Sequence, residues 1–295
     1  MDCLEIHVEL TNKCILNCKH CSSLANKCTN ELEFDDILNF IEKLGDEYNI
    51  RLILTGGEPL LKQNLIDFIS KINLKCNNIE VGLFTTGLIL ENKMITSLPD
   101  KYLNDLKDAG MKFVYISVYS TDEKIHDNIT GVVGSYKYTI DCIKKMIKNN
   151  IITNVNLVIM KWNIRELQKI VTELINLGVN EVRVLRLIKH GFALNNWDLI
   201  GCSYEEQSNA VKKLLKSNIP QISLGGFIEL SKCQYFSENQ QCLAGKNKLY
   251  INNKGEIYPC GAVKNNINYK IGELSKISEF HKHDSFKCKC IFTKN

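Results

Sequence analysis

The sequence lacks the features that would direct the chain into a membrane or onto a nucleic acid. No uninterrupted apolar run approaches the ~20 residues that a membrane-spanning helix requires. Residues 1–5 contain no basic stretch followed by an apolar one, so we expect no signal peptide. The net charge is only +4, and no block of Lys and Arg indicates nucleic-acid or membrane binding. We therefore expect a cytoplasmic globular protein that binds neither.

Cysteine, in contrast, is abundant. The chain has 13 cysteines among 295 residues. Without a secretion signal we do not expect a disulfide framework, because cytosolic thiols stay reduced. One group of three lies near the amino terminus, and a second group near the carboxyl terminus consists of Cys233, Cys242, Cys260, Cys288 and Cys290. The grouping indicates metal or cluster sites.

The amino-terminal cysteines follow a predicted strand. An alternating apolar run over residues 4–10 leads into Cys14, Cys18 and Cys21, which have C-x3-C-x2-C spacing. Zinc prefers four tetrahedral ligands, and the sequence offers no fourth ligand nearby. A 4Fe–4S cube can be held by three thiolates, which leaves one iron open for a substrate or cofactor. The spacing therefore favours an iron–sulfur cluster, with a truncated zinc site as the alternative.

A second motif is a glycine-rich turn. Residues 51–54 are typical of a buried strand, which runs into Gly-Gly-Glu-Pro at 56–59. Such a segment can be an ordinary strand-to-helix turn, since Gly and Pro punctuate structure everywhere. Glycines also let the backbone approach a ligand closely, and Glu58 offers a carboxylate to an ammonium group. The turn alone therefore has a structural and a ligand-binding interpretation.

Together and in this order, the two motifs resemble the signature of the radical S-adenosylmethionine (radical SAM) enzymes. His20 occupies the position just before the third cysteine, where this family often has an aromatic ring. The resemblance implies two cofactors, a 4Fe–4S cluster on the three cysteines and S-adenosylmethionine. It also implies that the amino group of S-adenosylmethionine is held at the turn formed by Gly56, Gly57, Glu58 and Pro59.

Strand-like and helix-like segments alternate along the chain, which predicts an α/β fold with a parallel sheet. Further strands are expected at 79–84, 113–118, 154–159 and 181–187, and helices at 33–43, 61–73, 99–109, 135–149, 164–177 and 204–217. The pattern fits either a doubly wound sheet or a partial (β/α)6 TIM-like barrel, and the resemblance implies the barrel. In such a fold the chemistry lies at the carboxyl ends of the strands, which both motifs follow.

Other strand ends provide weaker candidates for cofactor contacts. Thr86 follows the third strand, where the family often has a Thr-Asn-Gly-like turn. Ser117 ends the fourth strand, where the family often places a polar residue near the ribose, although a strand hydroxyl can equally bond to backbone. Asn156 and Arg186, on the fifth and sixth strands, could reach the methionine carboxylate or the ribose. A charged Arg inside an apolar strand, however, usually has a carboxylate partner in the protein. We assign no catalytic role to His126, which follows the fourth strand.

The carboxyl-terminal segment changes character near residue 224. Helix periodicity stops, and residues 248–260 are typical of a β-hairpin with a Gly-containing turn. The segment resembles the SPASM or shorter twitch extension, which implies a radical SAM core at 1–222 and an auxiliary cluster domain at 223–295. The ligands implied for one auxiliary 4Fe–4S cluster are Cys242, Cys260 and one or both of Cys288 and Cys290, with Cys233 either a fourth ligand or a thiol that faces the substrate. The C-x-C at the end and the absence of further cysteines depart from the family pattern, and a zinc ribbon is the alternative.

The resemblance implies an enzyme that receives an electron from a reducing donor and cleaves S-adenosylmethionine to a 5′-deoxyadenosyl radical, which abstracts hydrogen from a substrate C–H. We expect the substrate to be a ribosomally made peptide that is crosslinked or epimerised. Cys202 and Cys233 are candidates for returning a hydrogen atom. A twitch-type dehydrogenase acting on a polyol or amino sugar is the alternative, and a zinc-binding structural protein is a third. Because the first strand starts close to Met1, we expect no amino-terminal peptide-recognition domain.

Overall fold

A ten-stranded sheet crosses the computed structural model, which describes residues 2–28, 30–45, 47–227 and 244–279. The strands in these ranges are β1 Asp2–Thr11, β2 Tyr48–Gly56, β3 Ile79–Thr85, β4 Leu88–Glu91, β5 Met94–Ser97, β6 Met111–Ser117, β7 Ile152–Val158, β8 Glu181–Leu185, β9 Ile222–Gly225, β10 Lys248–Ile251, β11 Glu256–Tyr258 and β12 Gly272–Glu273. The sheet has the order β12-β11-β10-β1-β2-β3-β6-β7-β8-β9, and β4 and β5 form a separate hairpin.

Helices occupy the connections between the parallel strands. They are α1 Phe34–Gly45, α2 Leu65–Lys75, α3 Asp100–Asp108, α4 Glu123–Thr130, α5 Ser135–Lys148, α6 Leu167–Leu177, α7 Phe192–Asn195, α8 Trp197–Ile200 and α9 Tyr204–Leu215. The predicted alternation of strands and helices is confirmed. Helix α2 begins after the predicted residue 61, because Pro59–Leu61 forms a separate 3₁₀ turn and Asn64 adopts a left-handed conformation with φ of 58°.

The strand order distinguishes the two folds that the sequence left open. From β1 to β9, the seven main strands follow one another in chain order and all pair in parallel. A doubly wound sheet reverses its strand order at a switch point, and no reversal occurs along β1 to β9. The molecule is therefore an α/β protein with a mostly parallel central sheet built from successive βαβ units.

The two faces of this sheet differ in chemistry. Side chains alternate along β1, so the apolar run at 4–10 packs into the main hydrophobic core with the helices. The intervening residues Glu5, His7 and Glu9 lie on the opposite face, where β8 contributes Arg183. Buried polar groups need partners. This second face accordingly carries paired polar groups, such as Glu5 with His7 and Lys248.

The predicted carboxyl-terminal hairpin is present and extends the same sheet. Strand β10 pairs in parallel with β1, and β11 and β12 continue in antiparallel order. Gly255, with φ of 79°, supplies the left-handed residue of the β10–β11 turn. Strand β9 spans the expected domain boundary at 222/223, and the division into two domains stays a prediction.

Short elements were not predicted from the sequence. The β4–β5 hairpin turns at Asn92 and Lys93, both with positive φ, and α4, α7 and α8 each have eight residues or fewer. Such short segments give too few positions for a periodic signal. None of the helices in the described ranges combines the length and the apolar character that crossing a bilayer requires.

Candidate active site at the carboxyl ends of the strands

The loop between β1 and α1 carries Cys14, Cys18 and Cys21 at the carboxyl end of β1. All three thiols are free and partly buried. Burial raises the pKa of Cys14 to about 12 and the pKa of Cys18 well above its usual value, and the proximity of Cys21 raises both pKa values further. The three sulfur atoms are therefore electrostatic neighbours. They need a cationic centre to become thiolate ligands.

The spacing of these side chains distinguishes the two kinds of metal site. Among the residues that the structure describes, no three Cys, His, Asp or Glu side chains surround one point closely enough to hold a single ion. A zinc ion needs its ligands within about 2.3 Å of one centre. A 4Fe–4S cube binds each cysteine through a different iron, so it requires a wider triangle of sulfur atoms. Three thiols are one short of the four ligands that a structural zinc ion takes, and they match the three that can hold a 4Fe–4S cube.

The cysteine loop is fixed by hydrogen bonds to its own chain and to α4. The Asn26 side chain makes two hydrogen bonds to the Cys14 backbone: it accepts from the Cys14 amide at 2.8 Å and donates to the Cys14 carbonyl at 3.0 Å. The amides of Asn17 and Lys19 donate to the carbonyls of the last two residues of α4, at 2.9 and 3.0 Å. The loop backbone is therefore held in place by the protein alone.

The same loop contacts the segment that follows β8. The amide of Phe192 donates to the Cys21 carbonyl at 2.9 Å, and the Asn196 side chain donates to the Lys19 carbonyl at 3.1 Å. A Cβ at Gly191 would lie 2.4 Å from the Cys21 carbonyl oxygen. Glycine is required there because two backbones meet.

The glycine turn lies directly against the backbone that leads into the first cysteine. The Gly57 amide donates to the Thr11 carbonyl at 2.7 Å, and the Glu58 amide donates to the Lys13 carbonyl at 2.8 Å. A Cβ would lie 2.4 Å from the Thr11 oxygen at Gly56 and 2.1 Å from the Lys13 oxygen at Gly57. Both positions therefore exclude any side chain. The expectation that the two motifs meet at one edge of the sheet is confirmed.

Glu58 links this turn to the end of β3. Its side chain is fully buried, and its carboxylate accepts four hydrogen bonds: from the Thr85 hydroxyl at 2.5 Å, the Thr86 amide at 2.7 Å, the Thr86 hydroxyl at 2.6 Å and the Leu60 amide at 3.2 Å. Burial raises the pKa of Glu58, and these hydrogen bonds oppose that rise. The carboxylate thus has a structural role that the sequence did not indicate. The direct contact with a ligand ammonium stays a prediction.

Three rings contact one another in a row beside the cysteine loop. The His20 ring meets Tyr119 edge-on at a centroid distance of 4.5 Å, and Tyr119 stacks on His126 at 5.6 Å. Burial lowers the pKa of both histidines to about 4, so both are neutral near pH 7. The Nδ1 atom of His126 accepts from the Tyr119 amide at 3.3 Å. Sequence reasoning missed Tyr119, whose only signal was its place two residues after Ser117.

The weaker candidates on the strands separate into two places. Ser117 and Asn156 are register partners on β6 and β7, and the next partner in the same row is Arg183 on β8. The Asn156 Oδ1 atom is buried and has no hydrogen-bond partner among the described residues. Arg186 follows β8, and its guanidinium lies 4.4 Å from the ring centre of Tyr204 in α9. The structure therefore brings Ser117 and Asn156 together, and it places Arg186 against α9.

A buried ion pair joins the cysteine loop to the carboxyl-terminal segment. Lys264 donates to Glu9 at 2.5 Å, to the Ser23 hydroxyl at 2.7 Å and to the Tyr250 hydroxyl at 3.0 Å. Burial alone would raise the pKa of Glu9, but Lys264 holds it below its usual value. The sequence analysis singled out neither Glu9 nor Lys264.

The remaining cysteine candidates lie apart from this loop or outside the described residues. Cys202 is buried between α8 and α9, and burial raises its pKa to about 11. Cys260 follows β11 and is partly buried. Four further cysteine candidates lie outside the described ranges: Cys233, Cys242, Cys288 and Cys290.

Comparison with known families shows the superfamily to which the chain belongs. The sequence model of the Radical SAM superfamily matches residues 8–174, which contain both the cysteine loop and the glycine turn. The chain belongs to the radical SAM superfamily. Membership implies a 4Fe–4S cluster and S-adenosylmethionine as cofactors.

Curated relatives of this radical SAM protein are enzymes of several kinds. It is 28% identical over 222 residues to a probable GTP 3′,8-cyclase of Sulfurisphaera tokodaii, covering 75% of this chain and 66% of the relative. It is 24% identical over 272 residues to an AdoMet-dependent heme synthase of Methanosarcina barkeri, covering 86% and 75%. It is 23% identical over 266 residues to a PqqA peptide cyclase of Bradyrhizobium diazoefficiens, covering 88% and 67%. The radical SAM protein is thus an enzyme, and these relatives differ in their reactions.

Solved structures share the fold at low identity. The crystal structure of Streptococcus suis SuiB bound to S-adenosylmethionine matches with a TM-score of 0.70 and 17% identity, covering 93% of this chain and 64% of SuiB. Native anSMEcpe with bound AdoMet matches with a TM-score of 0.70 and 14% identity, covering 95% and 82%. The radical SAM chain therefore spans just under two thirds of SuiB and of the Sulfurisphaera relative.

Proposed function

We propose that Cys14, Cys18 and Cys21 hold the cluster and that the glycine turn binds S-adenosylmethionine beside it. The observation that carries this proposal is the pair of backbone hydrogen bonds from Gly57 and Glu58 to the residues just before Cys14. When bound, the two cofactors supply a 5′-deoxyadenosyl radical by one-electron cleavage of the sulfonium. The protein binds and orients them.

The glycine turn and the neighbouring strand ends have distinct parts in cofactor binding. The bare backbone at 56–57 lets a ligand amino group approach closely, and Pro59 begins the 3₁₀ turn that closes the motif. The two hydrogen bonds from Thr86 to Glu58 hold the turn after β3 beside the glycine turn, at the same edge of the sheet. Asn156 has a buried oxygen without a partner in the described residues, which supports a hydrogen bond from a ribose hydroxyl, with Ser117 beside it. We retain Arg186 and His20 as further candidate contacts.

The proposed architecture is a partial (β/α)6 barrel. In a flat sheet, β1 and β8 would lie about 24 Å apart, since five gaps of ~4.8 Å separate them. The loops after these strands instead share a hydrogen bond between Phe192 and Cys21. On the polar face, Arg183 of β8 donates to the Tyr115 hydroxyl of β6 at 3.2 Å. Contacts between strands that are not neighbours support a curved sheet.

We propose a ribosomally made peptide as the substrate, bound at the mouth of the barrel and either crosslinked or epimerised. Two findings support this class. A PqqA peptide cyclase aligns with 88% of the chain. The fold also matches SuiB bound to its precursor peptide SuiA, with a TM-score of 0.66 at 17% identity. Cys202 and Cys233 are the proposed hydrogen donors for epimerisation.

A second candidate substrate is a nucleotide. The GTP 3′,8-cyclases have the higher identity, 28% over 222 residues for the Sulfurisphaera protein, and the polar face beneath the site carries Asn156 and Arg183. We retain the polyol or amino-sugar dehydrogenase as a third possibility.

The carboxyl-terminal segment is proposed to be a SPASM- or twitch-like domain from residue 223 onward. Its auxiliary 4Fe–4S cluster would use Cys260, which follows the hairpin, together with Cys242, Cys288 and Cys290. Support comes from the cysteine pattern and from the position of Cys260 near Lys264, whose side chain reaches the cysteine loop. We propose a cytoplasmic location and a reducing partner that supplies electrons.

The experiment that tests the substrate class is anaerobic incubation of the reduced enzyme with candidate peptides and, separately, with GTP. Crosslinking lowers the peptide mass by two hydrogens. Epimerisation leaves the mass unchanged in ordinary water and introduces one solvent deuterium in heavy water. Conversion of GTP with no peptide change would select the nucleotide candidate, and two-electron oxidation of a polyol would select the dehydrogenase.

A further inference from the structure

Both tryptophans of the chain pack against the same group of apolar side chains as Cys18, a proposed cluster ligand. Trp162 and Trp197 pack against a small hydrophobic cluster that also includes Cys18 and is separate from the main core. A lysine lies over each ring: Lys19 Nζ is 5.6 Å from the centre of Trp162, and Lys189 Nζ is 5.6 Å from the centre of Trp197. Cation–π contacts of this kind hold the ammonium groups at the surface above the cysteine loop.

The two short helices next to these rings expose apolar side chains. Leu194 of α7 is 53% exposed and Leu199 of α8 is 51% exposed. Lys27, from the cysteine loop, lies 5.5 Å above the ring of Phe192 at the start of α7. We call this surface the α7–α8 face and define it by Lys19, Lys27, Lys189, Leu194 and Leu199.

The charge on the α7–α8 face is not neutralised by ion pairs. In the described part of the chain, none of its three lysines forms a salt bridge, whereas nine other lysines do. Lys19 instead donates to the backbone carbonyl and the side chain of Asn128. Asp198 is the acidic residue of the two helices. A face with unpaired cations around exposed leucines is typical of a docking surface for an acidic protein.

This face is attached directly to the cysteine loop. The Phe192 amide at the start of α7 donates to the Cys21 carbonyl at 2.9 Å, and the Asn196 side chain donates to the Lys19 carbonyl at 3.1 Å. A partner bound here would therefore lie next to the loop that carries the proposed cluster ligands.

We infer that the α7–α8 face is the docking surface for an acidic protein that carries single electrons and reduces the cluster. The inference rests on the proposed function, in which the cluster must receive one electron for each cleavage of S-adenosylmethionine. The donor protein is oxidised by one electron and the cluster is reduced by one, and no bond forms between them. Lysines around the face attract the acidic donor, and the leucines provide apolar contact.

The test compares two reductants on the reconstituted full chain. The first is a reduced flavodoxin, an acidic one-electron carrier protein, and the second is dithionite, a small reductant that needs no docking surface. Stopped-flow bleaching of the cluster gives the two reduction rates for wild type and for Lys189→Glu. The matched control is Lys144→Glu, which makes the same charge change on the exposed surface of α5.

We expect Lys189→Glu to slow reduction by flavodoxin about tenfold, because the steering charge is reversed, and to weaken the salt dependence of that rate. Its rate with dithionite and both rates of Lys144→Glu should stay within about twofold of wild type. Equal flavodoxin rates in Lys189→Glu and wild type would overturn the docking assignment. An equal loss with both reductants would also overturn it, because Lys189 would then act on the cluster itself. Absence of any cluster in wild type would instead contradict the proposed function.

Discussion

Glu58 and Thr86 are joined by two hydrogen bonds, one from the Thr86 amide at 2.7 Å and one from its hydroxyl at 2.6 Å. The same carboxylate reaches back to Leu60 in its own turn. The glycine motif after β2 and the turn after β3 therefore form one unit. A change at Glu58 should therefore affect both this unit and the proposed cofactor site that it borders.

Replacing Glu58 with Gln should reduce both stability and cofactor affinity. The amide NH₂ would face either Leu60 N–H or Thr86 N–H, neither of which can accept a hydrogen bond, so we expect a loss of about 1–3 kcal/mol in the free energy of unfolding. If the carboxylate also contacts the ammonium of S-adenosylmethionine, the affinity of the variant for S-adenosylmethionine should fall tenfold to hundredfold, which corresponds to ~1.5–3 kcal/mol. Urea unfolding and equilibrium binding measure the two effects. Thr85→Val, which removes one donor but keeps the carboxylate, is the control, and unchanged affinity in Glu58→Gln would remove Glu58 from the cofactor site.

Replacing Gly57 with Ala should disrupt the junction between the two motifs. The new Cβ would lie 2.1 Å from the Lys13 carbonyl oxygen, so one of the two backbones must move. We expect a loss of at least about 2 kcal/mol in the free energy of unfolding and reduced iron incorporation. Gly45→Ala is the control, because no atom lies within 4 Å of a Cβ there and Ala favours a helix end by up to ~1 kcal/mol. Equal stability of the two variants would contradict the close approach.

Stability should fall as the pH drops from 6.5 to 5. Burial lowers the pKa of His126 and His7 to about 4 in the folded protein, against an ordinary value of 6.5. Unfolding then takes up protons, so the contribution of each neutral histidine is present above pH 6.5 and is lost as the pH falls towards 4. Each contributes a slope of up to about 1.4 kcal/mol per pH unit. His126→Gln should reduce the pH dependence of the free energy of unfolding by the contribution of one histidine, as measured by urea unfolding between pH 5 and 6.5. An unchanged pH dependence would show that His126 titrates normally.

The proposed auxiliary cluster can be counted. Wild type should bind about eight irons per chain after anaerobic reconstitution, and the triple variant Cys14→Ala, Cys18→Ala, Cys21→Ala should retain about four. Cys260→Ala should show the reverse, losing the second cluster and keeping the first. Loss of all iron in the triple variant, or zinc in place of the second cluster in wild type, would contradict the auxiliary assignment.

The alternation of strands and helices, and the position of both motifs at the carboxyl ends of strands, were predictable because each left a local signal. Alternating apolar segments indicated the parallel strands, and the spacing of the three cysteines with the glycine turn indicated the cofactor site. The close approach at Gly57 follows from the absence of a side chain there. Such features are encoded within a few consecutive residues.

Other parts of the site depend on contacts between distant segments. Lys264 and Glu9 are 255 residues apart and meet only because β10 adds to the edge of β1. The bonds from Thr85 and Thr86 to Glu58 likewise require β2 and β3 to be neighbours. The α7–α8 face has elements too short for a periodic pattern. None of these relationships has a signature in the sequence alone.

The central claim is that the protein cleaves S-adenosylmethionine through a cluster on the three amino-terminal cysteines. The most direct measurement is chromatographic detection of 5′-deoxyadenosine after anaerobic incubation of the reconstituted protein with S-adenosylmethionine and dithionite. We predict a brown wild-type protein that forms 5′-deoxyadenosine and methionine, and a Cys18→Ala variant that forms neither. A colourless protein that binds zinc, or equal product from Cys18→Ala, would contradict the account.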